Sequence, residues 1–291
     1  MQDLTRRQFL ERMAAGAAGT FFASLVFGQS SSLGGQDRRA VGNETTAGEA
    51  RRGRVKVLEL ADMHIRDNES SAYPRKVIQA MNKEGGDLVL ACGDFGNTGQ
   101  RSELELAKSI LDGLKMPYYP VLGNHDALYS GDKEEDVFRE VFSLKTNSYR
   151  FDKKGIQFLG IDHGCGKSYS DNSVRPGVMA WMRETLTKIP EDQPIVVFSH
   201  YPFAKGVKYQ TRNSAEVLAL FKNKNLLAMV GGHFHGNTER RENGVLMTTT
   251  ACCSGVRGNH DGTKAKGFRV FLVDEELKVT TEFKEVSIVL S

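Results

Sequence analysis

The chain is poor in cysteine and in excess charge, and no apolar run is long enough to cross a bilayer as a helix. Its 291 residues include four cysteines, Cys92, Cys165, Cys252 and Cys253. None has zinc-finger spacing, and four are too few for a disulfide scaffold. The weakly apolar stretch MAAGAAGTFFASLVFG, residues 13–28, is shorter than the about 20 residues of a membrane span. Beyond residue 54 the 31 basic residues balance 31 acidic ones, which removes any charge argument for nucleic acid or an anionic membrane as partner. The net charge of +3 belongs to the first 54 residues, with eight arginines, no lysine and five acids. No repeat appears beyond the tetrapeptide GNHD, present around His125 and again around His260. What remains, 40% apolar residues, suits one sizeable α/β domain or two small ones.

The amino-terminal segment separates from the rest by composition. TRRQFLER, with Arg6 and Arg7 ahead of Phe9 and Leu10, precedes the modest apolar run and has the layout of an export signal. The paired arginines resemble the twin-arginine (Tat) type, which exports proteins already folded. That resemblance implies the Tat machinery as a transient partner and a periplasmic or extracellular protein, tethered to the membrane if the leader is not cleaved. Residues 29–54, rich in Gly, Ser, Thr, Asn and Arg, read as a disordered linker. The division expected is therefore a leader over 1–28, a linker over 29–54 and a catalytic domain over 55–291.

From residue 55 strands and helices alternate. VKVLEL, DLVLACG, YYPVLG, IQFLGID, PIVVFS and LLAMVGG read as strands; residues 74–84, 104–114, 132–142, 176–189 and 214–223 read as helices. After LLAMVGG the helices stop, and GVLMTTTA, FRVFLVD and KVTTEFKEV are strand-like. This order predicts sheets covered by helices, with a late antiparallel portion. Trp181 reads as core packing, and Cys92 as a buried thiol. Cys165 is open to pairing with Cys252 or Cys253, or all three are free thiols.

Polar residues of metal-ligating type sit where the strands end. VLEL runs into ADMH (Asp62, His64), DLVLAC into GD (Asp94), and YYPVL into GNHD (Asn124, His125, Asp126). PIVVFS is followed by His200, and LLAMV by GGHFH (His233, His235). Ligands of α/β sheets bind beyond the carboxyl ends of strands, so five such ends can serve one crevice. Five of the seven histidines are used this way. Nitrogen and carboxylate donors without thiolate suit iron, manganese or zinc. Two such cations about 3.5–4 Å apart activate a water and polarise a phosphoryl group, so no serine or cysteine nucleophile is needed. No H-x-H-x-D-H cluster of a metal-dependent lactonase is present.

The ordered set DMH, GDFGN, GNHD, SH and GGHFH resembles the calcineurin-like metallophosphoesterase superfamily, over residues 54 to about 274. The resemblance implies a four-layer α/β/β/α sandwich, a double βαββαβ scaffold of two mixed sheets between helices. It implies one metal held by Asp62, His64 and His235, a second by Asn124, His200 and His233, and Asp94 bridging them. It makes His125 the proton donor to the leaving group, near the phosphate, with Asp126 orienting it. Phe95, Gly96 and Asn97 follow Asp94 without the tyrosine of purple acid phosphatases. The compact group of cyclic-nucleotide and glycerophosphodiester phosphodiesterases is the nearer match. The substrate implied is a small phosphate ester, a diester ahead of a monoester. A retired enzyme serving as a scaffold fits poorly, because each expected ligand type is retained.

Three further positions are read from their surroundings. The second GNHD, at Asn259 to Asp261, lies between CCSGVR and GTKAKG and reads as a flexible turn, with His260 a candidate substrate contact. Asn97 reads either as a support for Asp94 or as a turn-former. His163 reads as an ordinary loop histidine ahead of a substrate contact.

Overall fold

Strands such as LVLAC and PIVVFS are buried at every position, the pattern of strands covered on both faces. The computed structural model describes residues 54–127, 134–163 and 171–288. The leader, nearly all of the linker and Cys165 lie outside the described residues.

Two mixed sheets supply the cover. In the first, β1 (Val55–Leu60), β2 (Leu88–Cys92) and β3 (Tyr118–Val121) run parallel, and β10 (Gly267–Val273) and β11 (Val279–Glu285) add antiparallel beyond β1. The second has the order β4 (Tyr149–Lys153), β5 (Ile156–Ile161), β6 (Pro194–Ser199), β7 (Asn225–Gly231), β9 (Val245–Thr249) and β8 (Thr238–Glu242). Its β5, β6, β7 and β9 are parallel, and β4 and β8 close the edges antiparallel. Inward residues of both sheets, among them Val57, Leu90, Val121, Phe158, Phe198 and Val230, form the middle layer. Each such side chain contributes about 1.5–3 kcal/mol by leaving water.

Helices cover the outer faces. α1 (Ala72–Glu84), α2 (Arg101–Leu111) and α3 (Glu134–Phe142) pack on the first sheet, and α4 (Pro176–Thr187) and α5 (Ser214–Ala219) on the second. α1 turns Tyr73, Val77, Ile78 and Met81 inward, a helical spacing, and stops at Gly85, whose φ of 66° no other residue type adopts as readily. α4 starts on Pro176, whose missing N–H costs nothing in a first turn. Trp181 packs half-buried against the outer core of the second sheet.

The expected four-layer arrangement is present, with local differences. β4 and β8 are additional strands. α2 lies three residues earlier than expected, because Asp112 and Gly113 close its last turn by bonding back to Lys108 and Ile110. α5 ends at Ala219, where i→i−3 bonds at Leu220 and Phe221 replace the helical ladder. The late strands are not all antiparallel, since β9 enters the second sheet parallel to β7.

Candidate metal centre

The ligand-bearing turns are held in a backbone conformation that L-residues avoid. Asp62, His64, Asp94, His233 and His235 all have positive φ, between 47° and 62°. Each such residue costs on the order of 1 kcal/mol or more, so the surrounding bonds must impose it. They do: Asp62 N–H donates to the Gly93 carbonyl at 3.0 Å, His64 N–H to Asp94 at 2.9 Å, Gly232 N–H to His200 at 2.8 Å and Cys253 N–H to Ala61 at 2.8 Å. One strand-end turn thus braces the next, and each kink aims its side chain into the gap between the two sheets.

The side chains converge as two groups with one member in common. Ligand-capable atoms of Asp62, His64, Asp94 and His235 lie within 4.8 Å of one another, as do those of Asp94, His200 and His233. His64 Nε2 faces His235 Nε2 at 3.0 Å, and His235 Nε2 lies 3.3 Å from the Asp62 carboxylate. Asp94 Oδ2 is 3.7 Å from His64 Nε2 and 3.4 Å from His200 Nε2. Asn124 Oδ1 and His233 Nδ1 each sit 3.1 Å from His200 Nε2, which brings Asn124 into the second group. All seven residues are buried.

These residues fit cations. Ring nitrogens and carboxylate oxygens crowd together with too few protons to join them as hydrogen bonds. The distal ring nitrogens of two of the imidazoles are already engaged: His200 Nδ1 with the Cys92 carbonyl at 2.8 Å, and His235 Nδ1 with the Gly258 carbonyl at 3.1 Å. A carbonyl can only accept, so each fixes the proton on Nδ1 and leaves Nε2 for a metal. Burial disfavours the charged His200 ring, yet Asp94 outweighs it and holds the pKa up at about 9. Burial likewise opposes charge on His235, and Asp62 overrides it to about 11. Burial pushes His64 well below the usual imidazole range, Asp94 notwithstanding. Asp94 lies well below the carboxylate range, because its histidine neighbours overcome its desolvation. A cation would replace the protons that these pairs share.

His125 stands at the edge of this cluster, half-buried, its ring 4.7 Å from that of His64. Its N–H donates to Asp94 Oδ1 at 2.8 Å, and its Nδ1 meets the Asn97 carbonyl at 2.7 Å. The expectation that Asp126 orients His125 is corrected here. The Asp126 carboxylate accepts four backbone N–H bonds, from Asp94, Phe95, Gly96 and Gly123, at 2.8–3.0 Å. Burial and the Asp94 charge push its pKa up, and the Gly123 and Gly96 N–H bonds oppose them. Asp126 therefore shapes the turn that presents Asp94, and the Asn97 main chain orients His125. Asn97 is thus more than a turn-former.

The second GNHD closes in the Asx-type turn expected, Asp261 accepting from the Thr263 N–H, and its neighbours brace it. The buried Lys266 ammonium donates to the carbonyls of Ser254 and Arg257, a support the sequence reading missed. Asn259 bonds Thr263 and Ala265, and Asp261 caps Thr263. His260 N–H donates to the His235 carbonyl at 3.0 Å, and the two rings stack at 4.6 Å. The second copy therefore supports His235, a member of the first ligand-capable group. His163 is buried, with Nε2 2.9 Å from Thr211 Oγ1 and its ring against Tyr201 and Phe203; burial lowers its pKa to about 3. It is a packed neutral histidine. Cys92, Cys252 and Cys253 are buried free thiols.

Comparison with known proteins follows the same lines. A probable glycerophosphodiester phosphodiesterase from Arcobacter nitrofigilis is 28% identical over 216 residues, 67% of this chain and 77% of that protein. A probable cyclic nucleotide phosphodiesterase from Fibrobacter succinogenes is 27% identical over 195 residues, 62% of this chain and 73% of that one. In fold, the chain is similar to a dimetal phosphatase from Danio rerio, at a TM-score of 0.57 and 14% identity, covering 78% of this chain and 98% of that chain. The model of the calcineurin-like phosphoesterase family matches residues 55–237, from the first strand through both ligand groups. The chain belongs to the calcineurin-like phosphoesterase family and is a metal-dependent hydrolase of phosphoric esters.

Proposed function

We propose that this chain is a dinuclear phosphodiesterase acting on a small phosphate diester. The observation that carries it is Asp94, whose carboxylate is shared by both ligand groups. Asp62, His64 and His235 would hold one cation, Asn124, His200 and His233 the other, and Asp94 both. Iron, manganese or zinc suits this donor set. Bound there, the pair would supply Lewis acidity toward phosphoryl oxygens and acidify a water. The chain itself supplies the proton for the leaving alcohol. The Asn97 carbonyl keeps Nδ1 of His125 protonated, so Nε2 is the atom that exchanges a proton with substrate. Asp126 and the main-chain bonds around it hold Asp94 in place before substrate arrives.

The preference for diesters rests on the relatives named phosphodiesterases. The test is a substrate panel on metal-loaded protein: bis-p-nitrophenyl phosphate, p-nitrophenyl phosphate, 3′,5′-cyclic nucleotides and glycerophosphodiesters. A higher kcat/KM for one of the diesters is expected. A higher value for the monoester would make the chain a phosphomonoesterase on the same site, and no hydrolysis of any would leave a scaffold protein.

A further inference from the structure

The loop carrying the second GNHD also brings an arginine to the site. Arg257 is half-buried and donates from Nη2 to Asn97 Oδ1 at 2.6 Å. The same Asn97 gives its main-chain carbonyl to His125 Nδ1, and the next residue, Gly258, gives its carbonyl to His235 Nδ1. Asn97 thus links the guanidinium to the support of the proton-donating histidine, and the main chain next to Arg257 supports a ligand histidine. Its main chain is tied by N–H to Ser254 Oγ at 3.2 Å and by its carbonyl to the Lys266 ammonium and the Cys252 thiol. The head is tied once, and a guanidinium has five N–H donors.

No carboxylate among the described residues pairs with Arg257, and its Asn97 partner also holds His125, whose ring lies 4.7 Å from that of His64. A fixed cation beside a cluster built to hold cations raises the energy of the loaded site. An anion entering the crevice removes that cost. The anion must offer an acceptor that the metal ligands' cations and His125 leave free. A phosphate monoester has three non-bridging oxygens, and a diester has two and carries its second ester group in the remaining place. A guanidinium bonds an anionic oxygen strongly and an ester oxygen weakly.

We propose that Arg257 is a specificity-determining residue that binds the third non-bridging oxygen of a dianionic phosphoryl group and so sets the balance between monoesters and diesters. The proposal rests on the phosphoesterase reading of the site and deepens it. The chain then turns over monoesters by virtue of Arg257, while diester hydrolysis proceeds with the guanidinium left on Asn97.

The test compares wild type, Arg257→Gln and Arg257→Lys, each metal-loaded, by isothermal titration with inorganic phosphate and with dimethyl phosphate. Kinetics with p-nitrophenyl phosphate and bis-p-nitrophenyl phosphate accompany it. The expected result is phosphate binding about 10- to 100-fold weaker in Arg257→Gln, the range of a charge-assisted hydrogen bond. Dimethyl phosphate binding changes less than about 3-fold, kcat/KM falls on the monoester alone, and Arg257→Lys recovers part of the loss. Equal losses on both ligands and both substrates would overturn the proposal, because they would mean that Arg257 acts only through Asn97 and His125. Loss of bound metal in Arg257→Gln would overturn it as well, as a support of His235. Failure of the wild type to hydrolyse any ester would defeat the phosphoesterase reading, while the phosphate titration would still decide the role of Arg257.

Discussion

At the scale of single residues, the centre depends on close approach as much as on ligands. A Cβ on Gly123 would stand 2.2 Å from Asp94 Oδ1 and 2.3 Å from Asp94 N, far inside contact distance. Gly123→Ala must therefore push away the carboxylate that both ligand groups share. We expect it to lose metal, read by elemental analysis, and to lose at least about 100-fold in kcat/KM, as displaced catalytic geometry does. Wild-type metal content in Gly123→Ala would show that the turn can yield without moving Asp94. The two GNHD histidines separate in the same way. His125→Ala removes the proposed proton donor and should cost about 100- to 10,000-fold in kcat with metal retained. His260→Ala removes a ring stacked on His235 and should cost about 10-fold or less. Equal losses would show that His260 shares the proton-transfer role.

At the scale of elements, what could be read in advance tracks how apolar each segment is. β1, β2, β3, β6 and β7 declare themselves because they are buried along most of both faces, and the turns at their ends carry all seven candidate ligands. β8, TERRE, contains no apolar residue and is held as an edge strand by its ladder to β9. Its signal lies in the turn: Asn243 and Gly244 both have positive φ, the hairpin geometry that an Asn-Gly pair favours. β4 buries only Phe151 among its five residues and closes through Lys154-Gly155 in the same conformation. The role of Asp126 was hidden for a different reason. Its four donors are backbone groups from two separate turns, and main-chain geometry leaves no mark in side-chain order. β1 also buries a charge in mid-strand. Glu59 faces Arg269 of β10 across the ladder and accepts from Thr250 Oγ1 at 2.6 Å. Burial raises its pKa from 4.5 to about 7, against the pull of Thr250 and Arg269. A carboxyl whose pKa is higher folded than unfolded stabilises fully below its unfolded value, and that contribution is lost as pH rises through the folded one. Metal-free protein should thus lose on the order of 3 kcal/mol between pH 4.5 and 7.5 from this group. Denaturant titrations of Glu59→Gln across that range should show a shallower fall, and an unchanged slope would place the proton elsewhere.

At the scale of the whole molecule, the paired arginines of the leader make one prediction and the placement of the centre another. If Arg6 and Arg7 are read by the Tat machinery, Arg6→Lys with Arg7→Lys keeps the protein in the cytoplasm, as cell fractionation would show; unaffected export would point to the general secretory route. The centre joins the two sheets. Asp62, His64, Asp94 and Asn124 follow strands of the first sheet, and His200, His233 and His235 follow strands of the second. Each ligand group draws on both sheets, so a cation in either place bonds across the middle layer at its open end. Unfolding separates those donors and forfeits the metal, and a ligand bound only by the folded state stabilises it by about 4 kcal/mol at a thousand times its Kd. Without cations, that end buries the charged His200 and His235 against Asp94 and Asp62 alone, on turns already strained at five positive-φ residues. Chelation should therefore lower Tm by about 5–15 °C in calorimetry, with recovery on adding zinc, manganese or iron. His200→Ala, which removes a ligand from the second sheet alone, should lower Tm of the loaded protein toward the chelated value and shrink the response to added metal. A Tm indifferent to chelator would mean that the sheets are held by the apolar layer alone and that the seven residues form no cross-sheet clamp.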